Sequence, residues 1–322
     1  MSKAAELRDA LARFCSARLG RSVRIDDLPV RLSGGASRET WSFHLDDGRA
    51  FVLRRDPPGA PAQRQLSNEV DVLRRAAGAG VPVPRVVWTD DAGELGSPGF
   101  VMEHIEGETI ARKILRDDEY AAARGHMAAQ CGEILARIHT MDARGLAPPE
   151  RKPTELVLDQ YAGLLDSFGE PHPAFELALR WLGQRLPPSE RVTVVHGDFR
   201  LGNFIVGPDG VRAILDWEIV HLGDPWEDLA WLCMRSWRFG GPGDVGGFGA
   251  REDLYDAYEQ TSGVPVDRDA VHWWEIMSNV KWGVMTIVQA FTHLMGQRHS
   301  MEHAAIGRRT VETEYDVLRL IS

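Results

Sequence analysis

The chain changes character near residue 105, and this change constrains its fold more than any other feature. Before that point, five short alternating segments predict the strands of an antiparallel sheet: 30–32, 40–45, 50–54, 85–88 and 100–103. Asp46-Asp47-Gly48 has the composition of a hairpin turn between two of them. Apolar residues recur with a helical period over 1–19 and again over 61–77. A small β-rich part with one main helix is therefore expected first.

The second half predicts a mainly helical part. Helical periods extend over 118–140, 153–167, 173–186, 225–237, 250–262 and 268–298. One β-rich insert, residues 192–217, interrupts them. Glycine in Ile105-Glu106-Gly107 permits a hinge, so we predict an N-terminal lobe over 1–105 and a C-terminal lobe over 106–322. This pattern is typical of the α+β fold class.

The β-rich insert carries three oxygen-bearing side chains at fixed spacing. Asp198 follows His196-Gly197, Asn203 follows five residues later, and Asp216 lies eighteen residues after Asp198. A carboxylate suits a group that orients a hydroxyl and takes its proton. Carboxamide and carboxylate oxygens are ligands that Mg²⁺ prefers. The motif predicts Asp198 as catalytic base and Asn203 and Asp216 as metal ligands.

This spacing resembles the catalytic loop and metal-binding Asp of protein kinases, with Gly197 where those enzymes carry Arg. The form His-Gly-Asp-x-x-x-x-Asn resembles the aminoglycoside phosphotransferase and choline kinase family. The amino-acid sequence at 53–59 and 196–203 is most similar to that of the kinase-like domains of acyl-CoA dehydrogenase family members ten and eleven. The resemblance implies a two-lobed protein-kinase-like fold, ATP and Mg²⁺. It also implies a small hydroxylated substrate, for which a hydroxyacyl-CoA is one candidate.

Further residues are assigned to the nucleotide by position within that family pattern. Ser37 and Arg38 end a glycine-bearing turn and would contact phosphate. Arg54 stands where the family carries Lys, and it would pair with Glu69 on the following helix and position the phosphates. The backbone at Glu103 and Ile105 would meet the adenine.

The sequence leaves open the roles of other residues near the motif. His196 is expected to support the catalytic loop. Glu218 would reach metal through water, or it would be an ordinary solvent-facing or ion-paired residue. Asp224 would cap the next helix or brace the loop. Three tryptophans of the last long helix are expected in the core more than against substrate: Trp273, Trp274 and Trp282.

The composition excludes several classes of protein. A formal net charge of -10 over 322 residues argues against a nucleic-acid binder. Three widely spaced cysteines indicate neither a disulfide framework nor a zinc site, which is typical of a reducing cytoplasm. No stretch approaches the roughly 20 apolar residues of a membrane span, and no signal peptide is evident, so a cytoplasmic protein is expected. The oligomeric state stays open.

Two other functions remain as alternatives to a small-molecule kinase. A protein kinase is disfavoured because no Ala-Pro-Glu segment follows Asp216. A catalytically silent nucleotide-binding or interaction module is disfavoured because such a module has no need of all three motif residues.

Overall fold

The computed structural model describes residues 2–32, 38–57, 65–147, 149–188, 191–297 and 299–322. Its internal contacts divide the chain into two compact units. Unit 1 contains residues 1–107 together with 212–218, and unit 2 contains 108–211 and 219–322. The segment 212–218, which holds Asp216, therefore belongs to the unit that the β-rich N-terminal part forms.

A five-stranded antiparallel sheet forms the centre of unit 1. Its strands are β1 (Val30–Arg31), β2 (Glu39–His44), β3 (Ala50–Arg55), β4 (Val86–Asp90) and β5 (Gly99–Glu103). They are ordered β1-β2-β3-β5-β4, so β3 lies at the middle of the sheet. Arg54 is paired with Thr40 on one side and Phe100 on the other. The register therefore holds Arg54 and Arg55 on opposite faces.

Two helices complete unit 1, α1 (Lys3–Leu19) and α2 (Gln65–Gly78). Ser2 caps the start of α1, and Gly20 ends it with a φ of +65°. The buried face of α1, with Leu7, Leu11 and Phe14, joins a core that also holds Trp41 and Phe43 of the sheet. This burial explains why the first amphipathic segment is helical.

Unit 2 is mainly helical. Its helices are α3 (Ala111–Arg116), α4 (Ala121–Arg124), α5 (Met127–Thr140), α6 (Pro153–Ser167), α7 (Pro173–Gly183), α8 (Trp226–Cys233), α9 (Arg251–Ser262), α10 (Arg268–Leu294), α11 (Met301–Gly307) and α12 (Thr310–Ile321). The helix predicted over 118–140 is in fact divided, because His126, at φ -135°, leaves the helical region between α4 and α5. Three helices, α3, α11 and α12, were not predicted from the sequence.

Short strands position the motif residues of the insert. These are β6 (Thr193–Val195), β7 (Phe204–Gly207), β8 (Gly210–Ile214) and β9 (His221–Gly223). Within unit 2, β6 pairs with β9 in antiparallel register, with Val195 opposite His221. The His-Gly-Asp loop begins where β6 ends. Among the helices that the structure describes, none has the length and apolar character needed to cross a bilayer.

Candidate active site

The loop after β6 is held by the carboxylate of Asp228 on α8. The backbone N–H groups of His196 and Gly197 donate to its two oxygens at 2.8 and 2.9 Å. Gly197 has a φ of +82°, and a Cβ there would lie 3.1 Å from the carbonyl oxygen of Ile219. A side chain at this position would be strained and crowded, so the turn requires glycine.

Asp228 is itself a fully buried anion with its own partners. Nε2 of His139 lies 3.2 Å from its carboxylate, and the hydroxyl of Tyr258 lies 3.0 Å from Nδ1 of the same histidine. Burial alone would raise the pKa of Asp228, but hydrogen bonding and charge from His139, with help from His196, lower it overall. A charged Asp228 is therefore a stable brace for the loop.

His196 supports the same loop from inside. Its side chain is fully buried, and its Nδ1 accepts a hydrogen bond from the backbone N–H of Asp198 at 3.2 Å. Its ring also packs edge-on against Phe199. These contacts agree with the supporting role expected from the sequence.

The carboxylate of Asp198 is oriented by three donors. Its Oδ1 accepts from Nε1 of Trp231 and from Nε of Arg200, each at 2.9 Å. Its Oδ2 accepts from Nδ2 of Asn203 at 2.7 Å. Because a carboxylate has about four acceptor positions, one remains for a further donor such as a hydroxyl. The side chain is 18% exposed, so that position is accessible.

The side chain of Asn203 is fixed by the same contact. Its Nδ2 also donates to the backbone oxygen of Asp198 at 3.0 Å. This orientation leaves Oδ1 of Asn203 without a donor among the described residues. A carboxamide oxygen in a nearly buried position is a suitable ligand for a hard cation.

In unit 1, Arg54 lies among three carboxylates. Its Nε is 3.4 Å from Oε1 of Glu69, and its Nη2 is 3.4 Å from Oδ1 of Asp216. Nη2 also contacts the carboxylate of Glu218. Burial alone would lower the pKa of Arg54, but the three carboxylates outweigh it and raise the pKa. The expected ion pair with Glu69 is present, and Glu218 is ion-paired to Arg54 here.

Asp216 has an unusual backbone conformation. Its φ is +63°, a region that residues other than glycine adopt at a cost. The next residue, Trp217, is buried, and its Nε1 donates to the carbonyl oxygen of Ile214 at 3.2 Å. This anchor keeps the Asp216 carboxylate 41% exposed beside Arg54. Its oxygens and that of Asn203 are of the hard type that fits Mg²⁺.

Ser37 and Arg38 were predicted to contact the phosphates of the nucleotide. Ser37 lies outside the described residues. Arg38 is buried, and its guanidinium contacts Glu69 and Asp56. This geometry does not favour the predicted contact of Arg38 with phosphate. A buried guanidinium with two carboxylate partners instead stabilises the fold around Glu69.

The segment predicted to meet adenine follows the central part of the sheet. Glu103 ends β5, and its side chain pairs with Arg85 at 2.5 Å on the protein surface. Ile105 is half-buried and lies just beyond the strand. Within the described ranges its backbone N–H and C=O have no hydrogen-bond partner. Such free backbone groups are what recognition of a base edge requires.

A cavity of about 480 Å³ in unit 2 has Asp198 in its wall. Most of its lining is aromatic or aliphatic, including Trp231, Trp274, Trp282, Leu156, Val157 and Met285. Trp273 lies in the core, as expected. Trp274 is buried in the core as well, and it also borders this cavity. Trp282 was expected in the core, but it is half-buried and borders the cavity.

The cavity has one polar end, formed by His221, Glu227 and Lys281. Glu227 contacts Nζ of Lys281 at 2.7 Å and Nε2 of His221 at 3.3 Å. Burial alone would raise the pKa of Glu227, but these two cations lower it far below its usual range. The only negative charge of this end is therefore already neutralised within the protein.

Sequence reasoning missed Arg200, Trp231 and Asp228. Arg200 is two residues from Asp198, so its proximity was available in the sequence. Asp228 and Trp231 are three apart on α8 and hence share a helix face. No local signal, however, tells which loop that face contacts.

An antiparallel sheet with a helix between its third and fourth strands, together with a helical unit that carries a His-Gly-Asp loop, is the arrangement of a kinase-like phosphotransferase. The chain belongs to the phosphotransferase enzyme family, whose sequence pattern matches residues 30–274. Mouse acyl-CoA dehydrogenase family member 10 is 31% identical over 236 residues. That match covers 70% of this chain but 22% of the relative. The family resemblance predicted from the motif is confirmed.

Solved structures confirm the predicted fold class. A Ralstonia eutropha protein assigned to the aminoglycoside phosphotransferases superposes with a TM-score of 0.76 at 21% identity, covering 97% of each chain. Spectinomycin phosphotransferase, in complex with ADP and spectinomycin, superposes with a TM-score of 0.64 at 14% identity. That comparison covers 96% of this chain and 98% of the other. At these identities the likeness establishes the fold.

Proposed function

We propose that this chain transfers the terminal phosphate of ATP to an alcohol hydroxyl of a small molecule. The observation that carries the proposal is the carboxylate of Asp198, which lies in the wall of a cavity with one acceptor position unused. Such an arrangement suits a group that binds a hydroxyl and receives its proton. Three fixed donors reduce the reorganisation needed when the hydroxyl arrives.

The proposed reaction is balanced without any further reactant. The acceptor oxygen forms a bond to the terminal phosphorus, and the bond from that phosphorus to the bridging oxygen breaks. The hydroxyl proton passes to Asp198, and the products are a phosphate ester and ADP. Most of the catalysis comes from positioning and neutralisation of charge.

For the nucleotide, we propose Arg54 with Glu69 as the phosphate-positioning pair and the backbone of Glu103 and Ile105 as the adenine contact. Asn203 and Asp216 would hold Mg²⁺ through hard oxygen atoms. Magnesium would neutralise charge on the phosphates. An ADP complex of a solved relative supports the choice of nucleotide.

The cavity favours an acceptor with a substantial apolar part. Its lining is rich in indole and aliphatic groups, and Glu227 is already occupied by Lys281 and His221. A polycationic acceptor would need several unpaired carboxylates, but Asp198 is itself paired with Arg200. A hydroxyacyl-CoA is therefore our leading candidate. The mouse relative's name refers to acyl-CoA dehydrogenase, although this chain matches only part of that protein.

A screen of acceptors tests the proposal. We would measure ADP release and phosphorylated product with hydroxyacyl-CoAs, homoserine-like alcohols, choline and aminoglycosides, each with wild type and Asp198→Asn. Phosphorylation of an apolar alcohol that needs Asp198 and Mg²⁺ is the expected result. Absence of product with every acceptor, combined with ATP binding, would favour a silent module. Phosphorylation of a protein substrate instead would favour a protein kinase.

The three cysteines support a reducing compartment, and we propose the cytoplasm. Cys15, Cys131 and Cys233 are all buried and free. Burial raises the pKa of the Cys15 thiol to about 11, although Arg18 and Arg49 oppose the shift, so this thiol is unreactive at neutral pH.

A further inference from the structure

We infer a second ligand site in unit 2, an arginine-lined cavity that binds the phosphate groups of an organic phosphate. The cavity has a volume of about 1000 Å³. Its charged lining residues come from α3, from the turn after α8 and from the region around the start of α12: Arg112, Arg235, Arg238, Arg309, Glu312 and Asp316. None of these residues lines the cavity of about 480 Å³ that holds Asp198, which is the proposed acceptor cavity.

The charge of this lining is opposite to that of the whole chain. Four guanidinium groups face two carboxylates, which leaves a formal charge of 4 − 2 = +2, whereas the chain carries -10. Arg238 also pairs with Asp244, which is outside the lining and half-exposed. Even with that carboxylate counted, one positive charge remains. A positive concavity on an acidic protein raises the local concentration of anions.

Two of the guanidinium groups are pre-positioned by the backbone. Nη2 of Arg238 donates to the carbonyl oxygen of Cys233 at 3.0 Å, and Nη2 of Arg309 donates to that of Ser236 at 3.5 Å. Arg235 is held 3.1 Å from Asp316. Arg112 is exposed and has no ion-pair partner among the described residues. Guanidinium forks from several elements match the geometry of phosphate oxygens.

The cavity also offers aromatic surface beside the charges. Tyr315 is 57% exposed, and the guanidinium of Arg235 lies 5.8 Å from its ring centre. Phe239 lines the cavity with a φ of +47°. Among the described residues, Asp216 is the only other non-glycine with a positive φ. Strained conformations of this kind concentrate at ligand sites, and a flat ring suits a ligand that carries a base as well as phosphate.

A layer of indoles separates this cavity from the acceptor cavity. The ring of Trp237 lies 5.5 Å from that of Trp231 and 4.8 Å from that of Trp282, and both of those line the acceptor cavity. Its sequence neighbours Ser236 and Arg238 line the arginine cavity. The phosphate could therefore belong to a distal part of the acceptor, a reading that rests on the proposed function, or to a separate organic phosphate.

Calorimetric titration with inorganic pyrophosphate, without magnesium, tests the site itself. The double variant Arg112→Gln/Arg309→Gln should bind pyrophosphate about tenfold or more weakly than wild type, as expected for loss of charged hydrogen bonds. Arg116→Gln removes one charge from α3, as Arg112→Gln does, but at an exposed position outside the cavity, and it should leave the affinity within about twofold. Arg112→Gln alone, at an exposed position, should fold normally and weaken binding by about threefold.

Wild type that binds no pyrophosphate, or a folded double variant with unchanged affinity, would overturn the inference. This titration requires no kinase activity, so its failure is distinct from failure of the proposed function. Competition experiments then identify which molecule carries the phosphate that this cavity binds. Pyrophosphate that competes with a hydroxyacyl-CoA, and not with the matching hydroxyacyl-pantetheine, assigns the site to the acceptor. Saturable binding that competes with neither assigns it to a separate ligand.

Discussion

The indole N–H of Trp231 donates to the carboxylate of Asp198 at 2.9 Å and thereby joins α8 to the His-Gly-Asp loop. Trp231 also lines the cavity that is proposed to bind the acceptor, so one side chain both orients the proposed base and borders the proposed acceptor site. Asp228 and Trp231 lie on the same face of α8, and Asp228 holds the backbone of that loop. The position of α8 therefore determines the geometry of the site.

Trp231→Phe keeps an aromatic ring but removes the N–H donor. We expect kcat to fall by about tenfold, because one oriented hydrogen bond to a charged group is lost. The KM for ATP should stay unchanged. Trp226→Phe is the matched control, since Trp226 is buried on the same helix but does not line the cavity. Equal kinetics in the two variants would show that the indole N–H has no role.

Asp198→Asn preserves size and removes the accepting charge. Turnover should fall by about 10²-fold or more, as for loss of a general base. ATP affinity should remain close to wild type. The melting temperature should fall by only a few degrees, because the amide nitrogen accepts no hydrogen bond and one of the three donors therefore loses its acceptor. Kinetics, nucleotide titration and thermal melting should be measured together. Full activity would exclude the catalytic role, and loss of folding would show a structural one.

Asp216→Ala should abolish magnesium-dependent turnover, because it removes a proposed oxygen ligand of Mg²⁺. Glu218→Ala is the comparison, since Glu218 is ion-paired with Arg54. That variant should retain most turnover if Glu218 lies outside the metal site. The measurement is the rate as a function of magnesium concentration. An unchanged magnesium dependence in Asp216→Ala would remove Asp216 from the site.

Arg54→Ala should raise the KM for ATP, lower turnover and lower the melting temperature, because Glu69, Asp216 and Glu218 would lose their shared cation. Arg54→Lys, the residue of the family pattern, should restore part of the activity. Arg55 offers a contrast, because it is buried and pairs with Glu39 at 2.9 Å. Arg55→Ala should lower the melting temperature without a specific effect on ATP. A normal KM in folded Arg54→Ala would contradict this assignment.

The polar end of the acceptor cavity predicts a pH dependence of stability. Burial alone would lower the pKa of His221, but the charge of Glu227 outweighs it and raises the pKa above the ordinary 6.5. A raised pKa means that this stabilisation is complete below about pH 6.5 and is lost as the pH rises through the folded-state value. The difference in melting temperature between wild type and His221→Asn should therefore shrink from pH 6 towards alkaline pH. A constant or growing difference would contradict the pairing.

The fold class and the family were predicted correctly from the sequence. Alternating strands before residue 105 and helical periods after it predicted the α+β class, since side-chain periodicity follows directly from strand and helix geometry. Helix α12 is amphipathic as well, but it was not predicted from the sequence. Arg38 was placed on phosphate because the turn before it is rich in glycine, but buried carboxylates pair with its guanidinium instead.

The sequence by itself determined the spacing of Asp198, Asn203 and Asp216, because intervals along a chain are covalent, and this spacing was enough to indicate the family. That Gly197 adopts a positive φ is visible only in the structure. Only the tertiary structure decided that Trp231 and Asp228 contact the His-Gly-Asp loop, that Arg54 is shared by three carboxylates and that arginines from three parts of the chain line one cavity. Those contacts join residues tens to hundreds of positions apart, and packing of whole elements, which no local pattern encodes, brings them together.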